Sequence, residues 1–145
     1  MVFIMLVGFP GAGKSTLAKI FESNGYKIHS PDLIRNELDI HEINRTKEIL
    51  NITYDNILRD IKSNKNLVYD STNLTKQRRL AILRKIKSYN CYKICIVLNT
   101  PIIICKQRNS IRKNFSKVTN EIYDKMESIY QIPTESEGWN KIIFI

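Results

Sequence analysis

Residues 8–15 read Gly-Phe-Pro-Gly-Ala-Gly-Lys-Ser and fit the pattern G-x-x-x-x-G-K-[ST] in full. What flanks the stretch makes it a constraint on the fold. Before it runs Val2–Val7, wholly apolar, which predicts a buried strand. After it, Lys14 to about Ser23 reads as a helix with Leu17, Ile20 and Phe21 on one face. Strand, glycine turn and helix in that order make one anion-binding unit. Gly8, Gly11 and Gly13 let the backbone turn sharply, so successive N–H groups face inward, and the helix adds its positive end. Lys14 is then expected to reach the β- and γ-phosphates of ATP, and the Ser15 hydroxyl to ligate Mg²⁺. Thr16 faces the helix, with its hydroxyl or N–H in range of the α-phosphate.

The rest of the chain alternates strand and helix patterns. Tyr26–His29 reads as a short strand, and Ser30-Pro31-Asp32 as a helix start. A long helix is predicted from Glu42 to Ser63, on Leu50, Tyr54, Ile57, Leu58 and Ile61. Leu67–Tyr69 predicts a strand ending at Asp70-Ser71-Thr72-Asn73, and Thr75–Lys87 a helix. Tyr92–Leu98, a helix from Thr100-Pro101 carrying Cys105 to Arg112, a helix around Ile122 to Tyr130, and Lys141–Ile145 complete the series. The pattern predicts an α/β P-loop NTPase or kinase-like fold: about five parallel strands, helices on both faces, and a short helical lid. At 145 residues it is expected to form a single domain over 1–145.

The distribution of charge says more than the net +9. Between Ser71 and Asn120 there is no Asp or Glu, while twelve Lys and Arg fall there, among them Lys76, Arg78, Arg79, Arg84, Lys113 and Lys117. A field of one sign suits a polyanionic partner, and a solvated basic surface is the plainer reading. Cys91, Cys95 and Cys105 lack paired spacing and are expected as buried, reduced thiols. No apolar run approaches the ~20 residues of a membrane span, so no membrane partner and a cytoplasmic location are expected.

The phosphate loop implies nucleotide binding, and the acceptor has to be read elsewhere. Asp32 and Arg35 lie three apart on one helical face, just after the second strand. A carboxylate there can orient a hydroxyl and accept its proton, and the arginine can grip an acceptor's phosphate or carboxylate. The same two residues also make an ordinary surface pair at a helix start. Arg108 and Arg112 are four apart, an arrangement suited to closing over a charged transition state. Asp70, ending an apolar strand, suits the metal-side acid of an ATPase; there is no NKxD for guanine.

Taken together, GFPGAGKST, Asp32-x-x-Arg35, Asp70-Ser71-Thr72-Asn73-Leu74 with Arg78-Arg79-Leu80, and Arg108-Asn109-Ser110-x-Arg112 resemble the kinase domain of phage-type polynucleotide 5′-kinases. That group belongs among the small P-loop phosphotransferases, and the resemblance runs over nearly the whole chain. It implies transfer of the ATP γ-phosphate to a 5′-hydroxyl of DNA or RNA. It implies that Asp32 is the general base, that Arg35 holds the neighbouring 3′-phosphate, and that Arg112, with Arg108, stabilises the γ-phosphate from the lid. Asp70 is implied to orient Arg35 or another arginine. With a polynucleotide acceptor, the basic stretch itself predicts that Arg78, Arg79, Arg84 and Lys113 contact phosphates beyond the reacting nucleotide. No phosphatase domain is expected after Ile145. Pro133 to Trp139 is similar to the wider bacterial group, with Trp139 either anchoring the last strand or touching the adenine. The alternatives are a kinase of a small molecule (nucleoside, sugar or antibiotic) and a nucleotide-binding ATPase module without an acceptor.

Overall fold

Val2–Val7 forms β1, and its alternation explains the layers around it. Phe3, Met5 and Val7 point to one face of the sheet, Ile4 and Leu6 to the other, and all five are buried. A strand covered on both faces has to be apolar throughout. The structure is a computed structural model and describes residues 1–39, 45–112 and 117–145. After β1 come α1 (Lys14–Ser23), β2 (Lys27–His29), α2 (Pro31–Leu38), α3 (Thr46–Lys62), β3 (Leu67–Asp70) and α4 (Lys76–Lys85). Then follow β4 (Tyr92–Val97), α5 (Ile102–Ser110), α6 (Asn120–Ile129), a short 3-10 turn at Glu135–Glu137, and β5 (Lys141–Phe144).

The strands pair in the order β2-β3-β1-β4-β5, every pair parallel. Tyr54, Ile57 and Ile61 of α3, with Ile82 and Leu83 of α4, cover the face of Phe3, Met5 and Val7. Ala18 of α1, Cys105 of α5 and Tyr123 of α6 cover the other. Each fully buried aliphatic side chain contributes about 1.5–3 kcal/mol. Trp139 is buried in the first of these clusters and anchors the chain just before β5, which decides between its two sequence readings. Cys91, Cys95 and Cys105 are free and buried. Among the described residues, no helix is long and apolar enough to cross a membrane.

Glu42, the expected start of the long helix, and Lys113, an expected phosphate contact, lie outside the described residues. The helix predicted to carry both Arg108 and Arg112 ends at Ser110, so Arg112 stands just beyond it, its N–H donating to Asn109 O at 3.0 Å.

Candidate active site

The loop after β1 is held by its carbonyl groups. Phe9 O accepts from Lys14 Nζ at 2.9 Å and Pro10 O from the Tyr123 hydroxyl at 2.6 Å. Gly11 O accepts from Arg108 Nη1 at 3.2 Å and Ala12 O from Thr100 Oγ1 at 2.8 Å. Four successive carbonyls are thus held by groups on α1, α5, α6 and the strand-to-helix loop after β4. Ala12 N–H closes back on Phe9 O at 3.0 Å, which tightens the turn. Gly11 and Gly13 adopt left-handed backbone (φ 83° and 101°), and α1 begins at Gly13 without a side-chain cap. Its first N–H donors therefore remain available to a ligand. Gly8 joins the loop to β3's continuation through its N–H on Thr72 O at 3.1 Å.

Lys14 is buried, and burial lowers its ammonium pKa despite the Asp70 carboxylate that opposes the shift. A desolvated cation beside the N–H donors of α1 is matched to a dense anion. Ser15 Oγ donates to Asp70 Oδ2 at 2.7 Å. Parallel pairing explains this contact, since Asp70 stands in register with Leu6 at the end of β1. Burial pushes the Asp70 carboxyl up, against the Ser15 hydrogen bond and the Lys14 charge. A buried carboxylate beside a hydroxyl, incompletely neutralised, is a set of hard oxygen donors that fits Mg²⁺. Asp70 thus contacts Ser15 while Arg35 pairs with Asp32, which favours the metal-side reading of Asp70 over the acceptor-side one that the resemblance implies.

Asp32 sits in the first turn of α2, whose start is fixed by Pro31 and by Ser30 Oγ accepting from Asp32 N–H at 3.2 Å. Its carboxylate acts on the charges of both Lys14 and Asp70, so it lies within electrostatic range of the phosphate loop. Arg35 Nη1 donates to Asp32 Oδ1 at 3.1 Å, with the arginine side chain mostly covered and Asp32 largely exposed. Arg108 reaches over Gly11 and Gly13 from α5. Arg112 is close enough to lower the Lys14 pKa. Thr16 is exposed in the first turn of α1. The structure therefore gathers Lys14, Ser15, Asp70, Asp32, Arg35, Arg108 and Arg112 around one loop.

Arg79 does not join them. It is fully buried, with Nε and Nη2 both 2.7 Å from Glu137 and Nη1 on the carbonyls of Asn73 and Leu74. A side chain with no exposed surface cannot touch an acceptor, so its expected substrate contact is withdrawn. Sequence reasoning missed Glu137 altogether, because nothing local ties it to a residue 58 positions earlier.

The family model described as an AAA domain matches residues 3–133. An L-seryl-tRNA(Sec) kinase of Methanococcus maripaludis is 24% identical over 146 residues, covering 96% of this chain and 56% of that protein. A bifunctional polynucleotide phosphatase/kinase of Schizosaccharomyces pombe is 24% identical over 143 residues, covering 96% of this chain and 32% of that protein. The chain thus spans well under two thirds of either curated relative. The crystal structure of a sugar kinase from Janibacter sp. HTCC2649 superposes with a TM-score of 0.72 at 14% identity, over 100% of this chain and 84% of its own.

Proposed function

From a chain that belongs to the AAA domain family and folds as a P-loop kinase-like domain, we propose an ATP-dependent phosphotransferase that moves the γ-phosphate to a 5′-hydroxyl of DNA or RNA. The observation that supports transfer, as against hydrolysis alone, is the Asp32 carboxylate, bonded to Arg35 and within electrostatic range of Lys14 and Asp70. In this reading Asp32 takes the proton of the acceptor hydroxyl. The hydroxyl oxygen bonds to the γ-phosphorus, the bond to the β-phosphate oxygen breaks, and ADP leaves. Lys14 and the loop N–H groups hold the donor phosphates, and Arg108 and Arg112 offset charge on the transferring group. Ser15 and Asp70 would hold Mg²⁺, which would supply further positive charge against the phosphates. Arg35 grips the acceptor's neighbouring phosphate.

The acid-free stretch from Ser71 to Asn120 supports a polyanionic acceptor, and both curated relatives are named for acceptors that contain nucleic acid. The test is a transfer assay with labelled ATP against 5′-hydroxyl DNA and RNA oligonucleotides, a nucleoside 3′-phosphate, and neutral sugars and nucleosides. Label on the 5′ end of oligonucleotides is the expected result. Label carried mainly by a sugar or nucleoside overturns the polynucleotide acceptor, and release of phosphate with every acceptor overturns transfer.

A further inference from the structure

The loop that follows β3 starts at Asp70, the last residue of that strand and the partner of Ser15, and the carbonyl groups of residues 71–74 are all occupied. Ser71 O accepts from Asn73 Nδ2 at 3.3 Å and Thr72 O from Gly8 N–H at 3.1 Å. Asn73 O and Leu74 O accept from Arg79 Nη1 at 3.0 and 3.1 Å, and Leu74 O also from Gln131 N–H at 3.0 Å. Asn73 takes a left-handed backbone (φ 49°) and donates from Nδ2 to Leu6 O at 2.8 Å. Asparagine visits that conformation readily. What holds the carbonyls of Asn73 and Leu74 is Arg79, and what fixes Arg79 is Glu137. Each Glu137 oxygen accepts from Arg79 at 2.7 Å, and the two also accept from Thr134 N–H at 3.3 Å and Trp139 Nε1 at 3.2 Å. Both side chains are essentially without exposed surface.

We propose that Arg79 and Glu137 are positioning residues: a buried guanidinium–carboxylate pair that sets the 71–74 loop and so holds the end of β3, where strand pairing places Asp70, with its carboxylate against Ser15. The planar fork is what the task needs. Two of its nitrogens engage the carboxylate while the third is aimed at two consecutive carbonyls, and an ammonium cannot do both. The pair thereby couples the turn before β5 to the oxygen donors at the far side of β1. This rests on the reading of Ser15 and Asp70 as holding Mg²⁺ beside ATP.

The test uses two variants and two binding measurements. Arg79→Lys keeps the buried charge and loses the fork. Arg79→Met with Glu137→Gln leaves no buried charge, which often preserves folding, and the side-chain amide keeps an acceptor for Trp139 Nε1. Mn²⁺ binding in the presence of ADP is followed by electron paramagnetic resonance, and ADP binding without metal by calorimetry. The expected result is folded variants whose metal-free ADP affinity matches the parent and whose Mn²⁺ affinity is about 10–100-fold weaker, the usual range when a metal ligand loses its support. Unchanged Mn²⁺ affinity in a folded variant overturns the proposal. So does an equal loss of metal-free ADP binding, or failure of both variants to fold, since either makes the pair a general strut. A parent protein that binds no Mn²⁺ with ADP removes the metal reading and this one with it; a parent that binds while both variants match it removes this one alone.

Discussion

At the scale of residues, the site is built from charges placed where water cannot neutralise them. Asp70 is the clearest case. Burial raises its carboxyl pKa above the ordinary 3.8, so the folded protein holds that proton more tightly than the unfolded chain does. Its contribution to stability therefore falls as pH rises from the ordinary carboxylate value through the raised one. Asp70→Asn removes that slope. The variant is expected to melt a few degrees above the parent at neutral pH, about the gain of other relieved active-site strains, while Mn²⁺ binding with ADP is lost. Melting curves across acid and neutral pH check the first, and metal titration the second. A variant that melts lower at neutral pH places the Ser15 hydrogen bond above the cost of burial. Asp32 makes the opposite case, with 71% of its side chain exposed. Asp32→Asn is expected to leave the melting temperature and ADP affinity in place and to lower kcat by about 10²–10⁴-fold, the range for loss of a general base. Full turnover with a shifted melting temperature makes Asp32 only the first-turn acid of α2.

At the scale of elements, the phosphate loop depends on how closely α5 approaches it. A Cβ built on Gly11 falls 2.5 Å from Cys105 O, whereas one on Gly25 meets nothing within 4 Å, and the two share nearly the same φ, 83° and 87°. Gly25→Ala is expected to cost only the left-handed backbone, about 1–2 kcal/mol, with transfer activity unchanged. Gly11→Ala adds a collision with helix backbone that neither element can relieve locally. It is expected to cost more than Gly25→Ala in urea melts and to weaken ATP binding, because α5 must leave the loop and take Arg108 with it. Equal losses at the two sites mean that the loop and α5 are independent. Local chemistry of this kind is what a sequence makes legible. The apolar run before Gly8 and the lysine after Gly13 fix strand, turn and helix together, since each needs the other to satisfy its backbone. The metal-side reading of Asp70 is available from Leu67–Tyr69, because a buried parallel strand ends beside its neighbour. Adjacent Arg78 and Arg79 differ by one helical step, which turns Arg78 to solvent and Arg79 into the core. The signal is present in the sequence, since Arg79 shares a 3–4 spaced face with Ile82, Leu83 and Ile86; only its partner, Glu137, is beyond local reading.

At the scale of the whole molecule, the basic stretch is divided by the sheet. Its cations on α4 lie over the face covered by α3, and those on α5 over the face covered by α1 and α6. With Arg79 withdrawn into the core, the proposed polynucleotide acceptor is expected to meet Lys76 and Arg78, both exposed at the start of α4 and the cations nearest after Asp70 in the chain. Arg84 and Lys85 stand at the far end of a ten-residue helix, about 15 Å long at 1.5 Å per residue. Two or three phosphate contacts are therefore expected beyond the reacting nucleotide. Each contact on a single strand contributes about −0.7 to the slope of log K against log salt, so oligonucleotide binding should show a slope of about −1.4 to −2.1. Arg78→Ala should reduce that slope by about one contact and weaken all oligonucleotide sequences alike. Affinity for ATP, whose phosphates are proposed to sit on the loop and Lys14, should be unaffected by the substitution. Fluorescence anisotropy of a labelled 5′-hydroxyl oligonucleotide over a KCl series measures the slope, and a nucleoside 3′-phosphate, lacking the outer phosphates, should bind more weakly. A flat salt dependence unaltered by Arg78→Ala, with the nucleoside 3′-phosphate binding as tightly as the oligomer, leaves the α4 cations as solvated surface and the acceptor as a small molecule.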